Sequence, residues 1–156
     1  SDAPRLHEIE TQYRTGPLAG RPATAVTAVC GKIEAELAEL PPEEAADYLA
    51  SYGLKESGLE RLITATYSLL GLMSFLTAGE DECRAWTVNR GATAPQAAGV
   101  IHSDLQKGFI RAEVIKYNDL VSLGSEEKVK ESGKFYLKGK DYIVEDGDIL
   151  CIRFSV

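Results

Sequence analysis

Phosphate chemistry is the first possibility that the sequence raises, because one stretch rich in glycine and lysine lies close to the P-loop pattern. It runs from Gly133 to Gly139 and continues as Lys140-Asp141. The pattern G-x-x-x-x-G-K-[ST] ends in a hydroxyl that binds magnesium, whereas this stretch has five spacer residues and an aspartate. Phe135 within it is typical of a strand rather than of the strand-to-helix turn that cradles a phosphate. We therefore predict no phosphate site in this chain.

Nucleophilic or metal-dependent catalysis also lacks a convincing set of residues. Cys30, Cys83 and Cys151 are far apart and form no C-x-x-C pair, and only His7 and His102 accompany them. Such a set assembles neither a zinc site nor a disulfide framework. Acidic pairs fall in predicted turns and on outer helix faces, where capping and solvation explain them. We predict no catalytic residue and no metal site, and three unpaired thiols indicate a reducing, cytoplasmic compartment.

Basic residues of the second half are candidates for a binding surface. They are interleaved with aromatic residues, an arrangement that contacts phosphates and stacks on bases. The candidates for contact with RNA or a partner are Arg84, Trp86, Arg90, Lys107, Arg111 and Lys116. Strand alternation would place Arg84 and Trp86 on one side, and Arg111 and Tyr117 on one side. The alternative is that Trp86 and Phe109 are simply core and that the charges only solvate the outer surface of the sheet, since the second half of the chain is slightly acidic overall.

The predicted secondary structure changes near residue 72. With 156 residues, 44% hydrophobic and 26% charged, the chain has the composition of a globular protein of one domain or two small ones. No apolar run approaches the length that spans a membrane, so we expect no membrane partner. Helical periodicity dominates residues 1–71 and strand patterns dominate residues 72–156. We place a domain boundary between Gly71 and Leu72.

The first part is predicted to be mainly helical, with one short buried strand. Residues 25–29 form an apolar run that favours a strand. Pro41-Pro42 separates two predicted helices. A third helix begins after Ser57, which forms a capping-box pattern with Glu60 and precedes the clearest amphipathic stripe of the chain.

The second part is predicted to have the element order β-β-α-β-α-β-β. Residues 78–82 join the first two strands, and a helix opens at Thr93 with a capping-box pattern and ends at Gly108. Residues 135–144 and 149–156 are predicted to be the last strands. This order indicates an α+β fold in which a helix packs on one face of a small mixed sheet, as in a β-grasp or ubiquitin-like roll.

Five stretches of the second part resemble a known domain. They are FLTAG at 75–79, RAWT at 84–87, GATAPQAAGVIH at 91–102, GFIRAE at 108–113 and GKDYIVEDGD at 139–148. Together they resemble the C-terminal TGS domain, a β-grasp module, of the YchF / Obg-like ATPase family of translation-factor-class P-loop NTPases. Residues 26–71 look like the tail of that family's GTPase domain. The resemblance thus implies a TGS domain at 72–156 that follows a mainly helical remnant of an α/β nucleotide-binding domain at 1–71.

One loop of the first part has a counterpart in that family. Cys30, Gly31 and Lys32 occupy the place of the Ser-Ala-Lys-like loop, which uses backbone N–H groups and a lysine stem against the purine. Cysteine and glycine stand where the family more commonly has serine or cysteine and alanine, which weakens any role of the first two side chains. The alternative is an ordinary strand-to-helix turn.

The resemblance also implies what the intact protein does. It would bind and hydrolyse ATP or GTP with Mg²⁺ and associate with ribosomes, and the TGS domain would help it dock on RNA or on partner proteins. The family's P-loop and switch segments are not in this sequence, so we interpret the chain as a C-terminal part that is inactive as a hydrolase by itself. The alternative function is a stand-alone β-grasp adaptor that binds only protein.

Overall fold

The computed structural model describes residues 2–16, 18–79 and 82–155. They form two compact units, which we call unit 1 and unit 2 and which divide between Leu70 and Gly71. Glu80 and Asp81, at the centre of the predicted hairpin loop, lie outside the described residues. Within the described ranges, no helix combines the length and the apolar character needed to cross a membrane.

Unit 1 consists of helices. They are α1 (Asp2–Thr15), α2 (Gly31–Glu39), α3 (Pro42–Ser51) and α4 (Gly58–Leu69). The predicted capping box of α4 is present, since the Ser57 N–H donates to Glu60 Oε2 at 2.7 Å and the Glu60 N–H donates to Ser57 Oγ at 3.1 Å. Among the described residues of this unit, the buried apolar side chains are Leu6, Ile33 and Leu49.

The predicted strand at 25–29 is wrong. These residues have no strand partner among the described residues, because every regular element of unit 1 is a helix. Side chains satisfy the backbone of Ala28 instead: its N–H donates to Glu10 Oε1 at 2.8 Å, and the Arg61 guanidinium donates to its carbonyl. The apolar run therefore lies between α1 and α4 without forming a ladder.

Unit 2 is a mixed sheet with helices. Its elements are β1 (Leu72–Ala78), β2 (Cys83–Asn89), α5 (Ala94–Ile101), α6 (Ser103–Lys107), β3 (Phe109–Lys116), α7 (Tyr117–Leu123), α8 (Glu126–Glu131), β4 (Tyr136–Lys138) and β5 (Asp148–Phe154). The strand order is β2-β1-β5-β3-β4, with β1 and β5 parallel and the other neighbours antiparallel. The predicted α+β class with a mixed sheet is confirmed.

The sheet buries apolar side chains on both faces. The face that packs against α5 holds the larger cluster, which includes Phe75, Val114 and Leu150. The other face holds a smaller cluster around Val129 and Ile149, under α7 and α8. Each large side chain that is fully buried in this way contributes about 1.5–3 kcal/mol to folding. The part of the second face beyond this cluster carries Arg111, Glu113 and Arg153.

Two elements depart from their predicted extents. The helix predicted to run to Gly108 breaks at His102, whose extended backbone and Nδ1 cap α6 by accepting the Asp104 N–H at 3.2 Å. The strand predicted at 135–144 is reduced to β4, because the chain then turns and the Val144 N–H donates to the Ala92 carbonyl at 2.9 Å. The first change comes from a local cap at His102, and the second from a contact between segments that are far apart in the sequence.

Candidate functional site

The loop predicted to contact a nucleotide base lies at the start of α2. Cys30 is the N-cap of this helix and makes no side-chain cap hydrogen bond. Lys32 is 83% exposed and lies 3.8 Å from Glu36. A Cβ on Gly31 would meet no atom within 4 Å, so the backbone here is open to approach from outside. The base-contacting role of this loop stays a prediction.

A buried polar cluster holds the segment that leads into this loop. Glu10 Oε1 accepts hydrogen bonds from the Ala28 N–H at 2.8 Å and from Arg61 Nη1 at 2.9 Å. The side chains of Glu10 and Arg61 are largely buried. Their opposite charges compensate each other there, where an unpaired charge would destabilise the fold. The cluster joins α1, the loop and α4. Sequence reasoning missed it, because Glu10 and Arg61 are 51 residues apart.

Arg84 and Trp86 lie together on β2, as strand alternation predicts. The Arg84 guanidinium carbon is 4.3 Å from the centroid of the Trp86 ring, and the indole N–H donates to Thr77 Oγ1 at 3.0 Å. Trp86 is half-buried against the α5 face of the core. The Trp86 ring therefore packs partly against the core, and the exposed Arg84 covers part of the remaining ring surface.

Arg111 lies on the open part of the other face. It faces Arg153 across the β3–β5 pair, and both guanidinium groups are near Glu113. Arg153 makes a bidentate pair with that carboxylate, with two N–O distances of 2.9 Å. The hydrogen bond from Arg153 lowers the pKa of Glu113, although burial opposes the change. Tyr117 does not share this face as a strand residue, because it begins α7, so that expectation was wrong.

Lys116 forms hydrogen bonds with other residues of unit 2. Its Nζ donates to Asp148 Oδ1 at 2.6 Å, to Glu145 Oε2 at 2.9 Å and to the Tyr142 hydroxyl at 3.1 Å. Burial alone would lower the pKa of Lys116, but these hydrogen bonds outweigh it and raise the pKa. Asp148 is completely buried. The structure thus gives Lys116 a role in holding the ends of β3 and β5 together.

The remaining candidates do not join the others in one patch. Arg90 follows the last residue of β2, while Arg84 is at its start. Lys107 is the last residue of α6 and lies 3.9 Å from Asp104. Arg84, Arg90, Lys107 and Arg111 are all exposed, but they are distributed over both faces and both ends of the sheet.

Positive charge is concentrated in a segment that the sequence reasoning passed over. Residues 128–140, the lysine-rich segment, contain five lysines and one glutamate in a chain whose net charge is −7. Phe135 and Tyr136 lie between the lysines, so charge and aromatic rings alternate here as well. The density of lysine in an acidic chain was the signal that would have found it.

Potential metal ligands and free thiols both occur in the described parts of the chain. No group of three or more His, Cys, Asp or Glu residues within them is placed to hold a metal ion. Cys83 and Cys151 are exposed and Cys30 is half-buried, all as free thiols.

Comparison with known proteins gives matches over both units. A family model named for the C-terminal part of YchF GTPases, and described as a protein of unknown function (DUF933), matches residues 72–155. The ribosome-binding ATPase YchF of Haemophilus influenzae is 52% identical over 143 residues, which cover 92% of this chain and 39% of that protein. Human Obg-like ATPase 1 is 48% identical over 134 residues, or 86% of this chain and 34% of that protein.

A solved structure is similar over nearly the whole chain. The YchF GTPase of Schizosaccharomyces pombe has a TM-score of 0.74 and 34% sequence identity, over 95% of this chain and 38% of that one. The chain thus spans less than two fifths of the length of these three relatives.

Proposed function

The chain belongs to the YchF / Obg-like ATPase family, and from that premise we propose that it is the C-terminal part of a ribosome-associated P-loop ATPase or GTPase. The family resemblance seen in the sequence is thereby confirmed. We assign residues 1–71 to the end of the nucleotide-binding domain and residues 72–156 to a TGS domain of the β-grasp type. In this proposal the TGS domain docks the protein on ribosomal RNA, while hydrolysis needs the rest of the family's nucleotide-binding domain.

The strand order of unit 2 is the observation that carries the β-grasp assignment. Two hairpin-connected strands, β1 and β2, are followed by α5, and the last strand, β5, returns to the centre of the sheet parallel to β1. The helix packs on one face over Phe75 and Leu150. This is the arrangement in which a sheet grasps a helix, and it leaves part of the opposite face and both edges available for binding.

The surface of α4 supports the assignment of unit 1 to a larger domain. Its apolar stripe is between 45% and 63% exposed at Leu59, Leu62, Ile63, Leu69 and Leu70. Contiguous exposed apolar surface of this kind marks a place where other protein packs. In the proposal, this surface packs against the part of the nucleotide-binding domain that the longer relatives contain.

Nucleotide chemistry is assigned to the intact protein. Phosphoryl transfer depends on positioning the γ-phosphate and Mg²⁺, and the chain carries no P-loop motif to do so. Cys30, Gly31 and Lys32 would contact the purine of ATP or GTP in the intact protein, through backbone N–H groups and the lysine stem. Ribosome association and three free thiols support a cytoplasmic location.

Two measurements test this proposal. Calorimetric titration of the 156-residue chain with MgATP or MgGTP is expected to give no saturable heat, and micromolar binding would mean that a site has been missed. Intact-mass measurement of the full gene product is expected to give a protein about two and a half times the length of this chain. A product close to this chain in mass would favour the protein-binding adaptor.

A further inference from the structure

The lysine-rich segment lies at an edge of the sheet of unit 2. It begins in α8, continues through the loop before β4 and ends just after β4, which is the last strand of the sheet order. Its five lysines and single glutamate give it a net charge of +4, so the other residues of the chain sum to −11. A polyanion is therefore repelled by most of the protein and attracted to this edge.

Two of the five lysines have their charge compensated within the protein. Lys130 pairs with Glu126 at 2.8 Å and Lys134 pairs with Asp119 at 2.6 Å. No carboxylate lies within 4 Å of the ammonium of the other three, Lys128, Lys138 and Lys140, in the part of the chain that the structure describes. These three are free to pair with an external anion.

Aromatic rings hold one of these ammonium groups in place. The Lys138 Nζ lies 5.3 Å from the centroid of the Tyr136 ring and 5.1 Å from that of Tyr142. The Tyr142 hydroxyl is fixed in turn by its hydrogen bond to Asp148 at 2.7 Å. The charge is thus held near the protein surface, beside the Tyr136 ring, which is 37% exposed. An ammonium next to a partly exposed aromatic residue matches a nucleotide, with its phosphate beside a base that stacks.

We propose that Lys138, Lys140 and Tyr136 form the RNA contact of the TGS domain, with the lysines on phosphates and the tyrosine ring against an unpaired base. This inference rests on the proposed function and specifies which surface performs it. The RNA is single-stranded or looped, because a base must be unstacked from its neighbours to lie on a side chain. In this proposal Arg90, Lys107 and Arg111 do not contact the RNA directly and contribute only to its long-range electrostatic attraction.

Salt-dependent binding of a labelled oligonucleotide tests the two lysines. The variant K138Q/K140Q and a control with the same change in net charge, R21Q/K55Q in unit 1, are compared with the unaltered chain by fluorescence anisotropy of fluorescein-labelled oligouridylate. Each lost phosphate contact lowers the salt slope by about 0.7 and the affinity roughly five-fold near 0.1 M salt, so the double variant loses about 25-fold and a slope of about 1.4. The control is expected to stay within about two-fold, since it removes the same amount of charge without removing a proposed phosphate contact.

The tyrosine is tested by two replacements of similar size. Tyr136→Phe keeps the ring and is expected to bind as the unaltered chain does, whereas Tyr136→Leu keeps apolar bulk without a ring and is expected to lose roughly five-fold or more. Thermal unfolding of each variant checks that it is folded. Should the double lysine variant fail this check, Lys140→Gln alone, at an exposed position, is expected to lose about five-fold.

The possible results separate this inference from the proposed function. The unaltered chain and K138Q/K140Q could bind RNA equally strongly, with salt-dependent affinity. This result would overturn the assignment of the contact but would leave the proposed role of the TGS domain unaffected. Equal losses in the control variant would show a diffuse electrostatic effect and would also overturn the assignment. Absence of RNA and ribosome binding by the unaltered chain would overturn both.

Discussion

Replacing Lys116 with methionine tests the structural role that the contacts give to this residue. Methionine keeps the apolar stem of the side chain but removes the ammonium that donates to Asp148, Glu145 and Tyr142. Asp148 then remains fully buried with the Tyr142 hydroxyl at 2.7 Å and the Glu145 N–H at 2.9 Å as donors, but without a counter-charge. An uncompensated buried carboxylate destabilises the folded state.

The size of the effect follows from the burial of the two partners. Removing one partner of a fully buried pair costs about 3–5 kcal/mol, and because the Lys116 side chain is 31% exposed we expect a smaller value, about 2–3 kcal/mol. In a unit of this size 1 kcal/mol corresponds to about 4–8 °C, so the midpoint of unfolding of unit 2 is expected to fall by roughly 8–24 °C.

Fluorescence of Trp86 is the appropriate assay, because it is the single tryptophan of the chain and lies in unit 2. Thermal unfolding of Lys116→Met is compared with that of Lys107→Met, a lysine that is 79% exposed and whose loss is expected to change stability by less than about 0.5 kcal/mol. If both variants unfold within about 2 °C of the unaltered chain, the buried ion pair is not what holds β3 to β5.

Two further predictions concern the same unit. Burial, and then the hydrogen bond to Asp148, raises the pKa of Tyr142 to about 12. Between about pH 10 and pH 12 the unfolded chain therefore loses a proton that the folded chain keeps, and the free energy of unfolding falls. Urea unfolding across this range measures the fall, and a free energy of unfolding that does not change with pH would contradict the prediction. Gly108→Ala would place a Cβ 1.9 Å from the Ser155 carbonyl oxygen and is expected to lower the free energy of unfolding by about 1–3 kcal/mol. The control is Gly139→Ala, whose added Cβ would meet no atom within 4 Å. Equal stabilities of the two variants would show that the strand ends move apart freely.

Local signals predicted most of the elements. The capping box of Ser57 and Glu60, the break at Pro41-Pro42 and the strand patterns after residue 72 are properties of a few adjacent residues, so a sequence alone contains them. Helix α7 was missed, because it begins directly after β3 at Lys116 without a side-chain cap that would announce it. The composition of the apolar run at 25–29 favours a strand, but the described residues of unit 1 include no neighbouring strand with which it could pair.

The candidate site was less accessible to prediction than the fold. Lys116 counts as a surface cation in the sequence, and its partner Asp148 is 32 residues away, so only the folded sheet shows that their charges cancel. Arg84 and Arg111 appear as one basic set until strand register places them on different faces. The lysine-rich segment, in contrast, was visible in the composition and was overlooked because it was treated as strand residues and a failed P-loop.

The central claim, that this chain is the ribosome-docking part of its protein, is tested most directly by sedimentation with purified ribosomes over a range of salt concentrations. The account predicts that the 156-residue chain pellets with ribosomes at low salt and is progressively released as salt rises, without added nucleotide. A chain that stays in the supernatant at every salt concentration would contradict it, and so would pelleting that salt does not weaken.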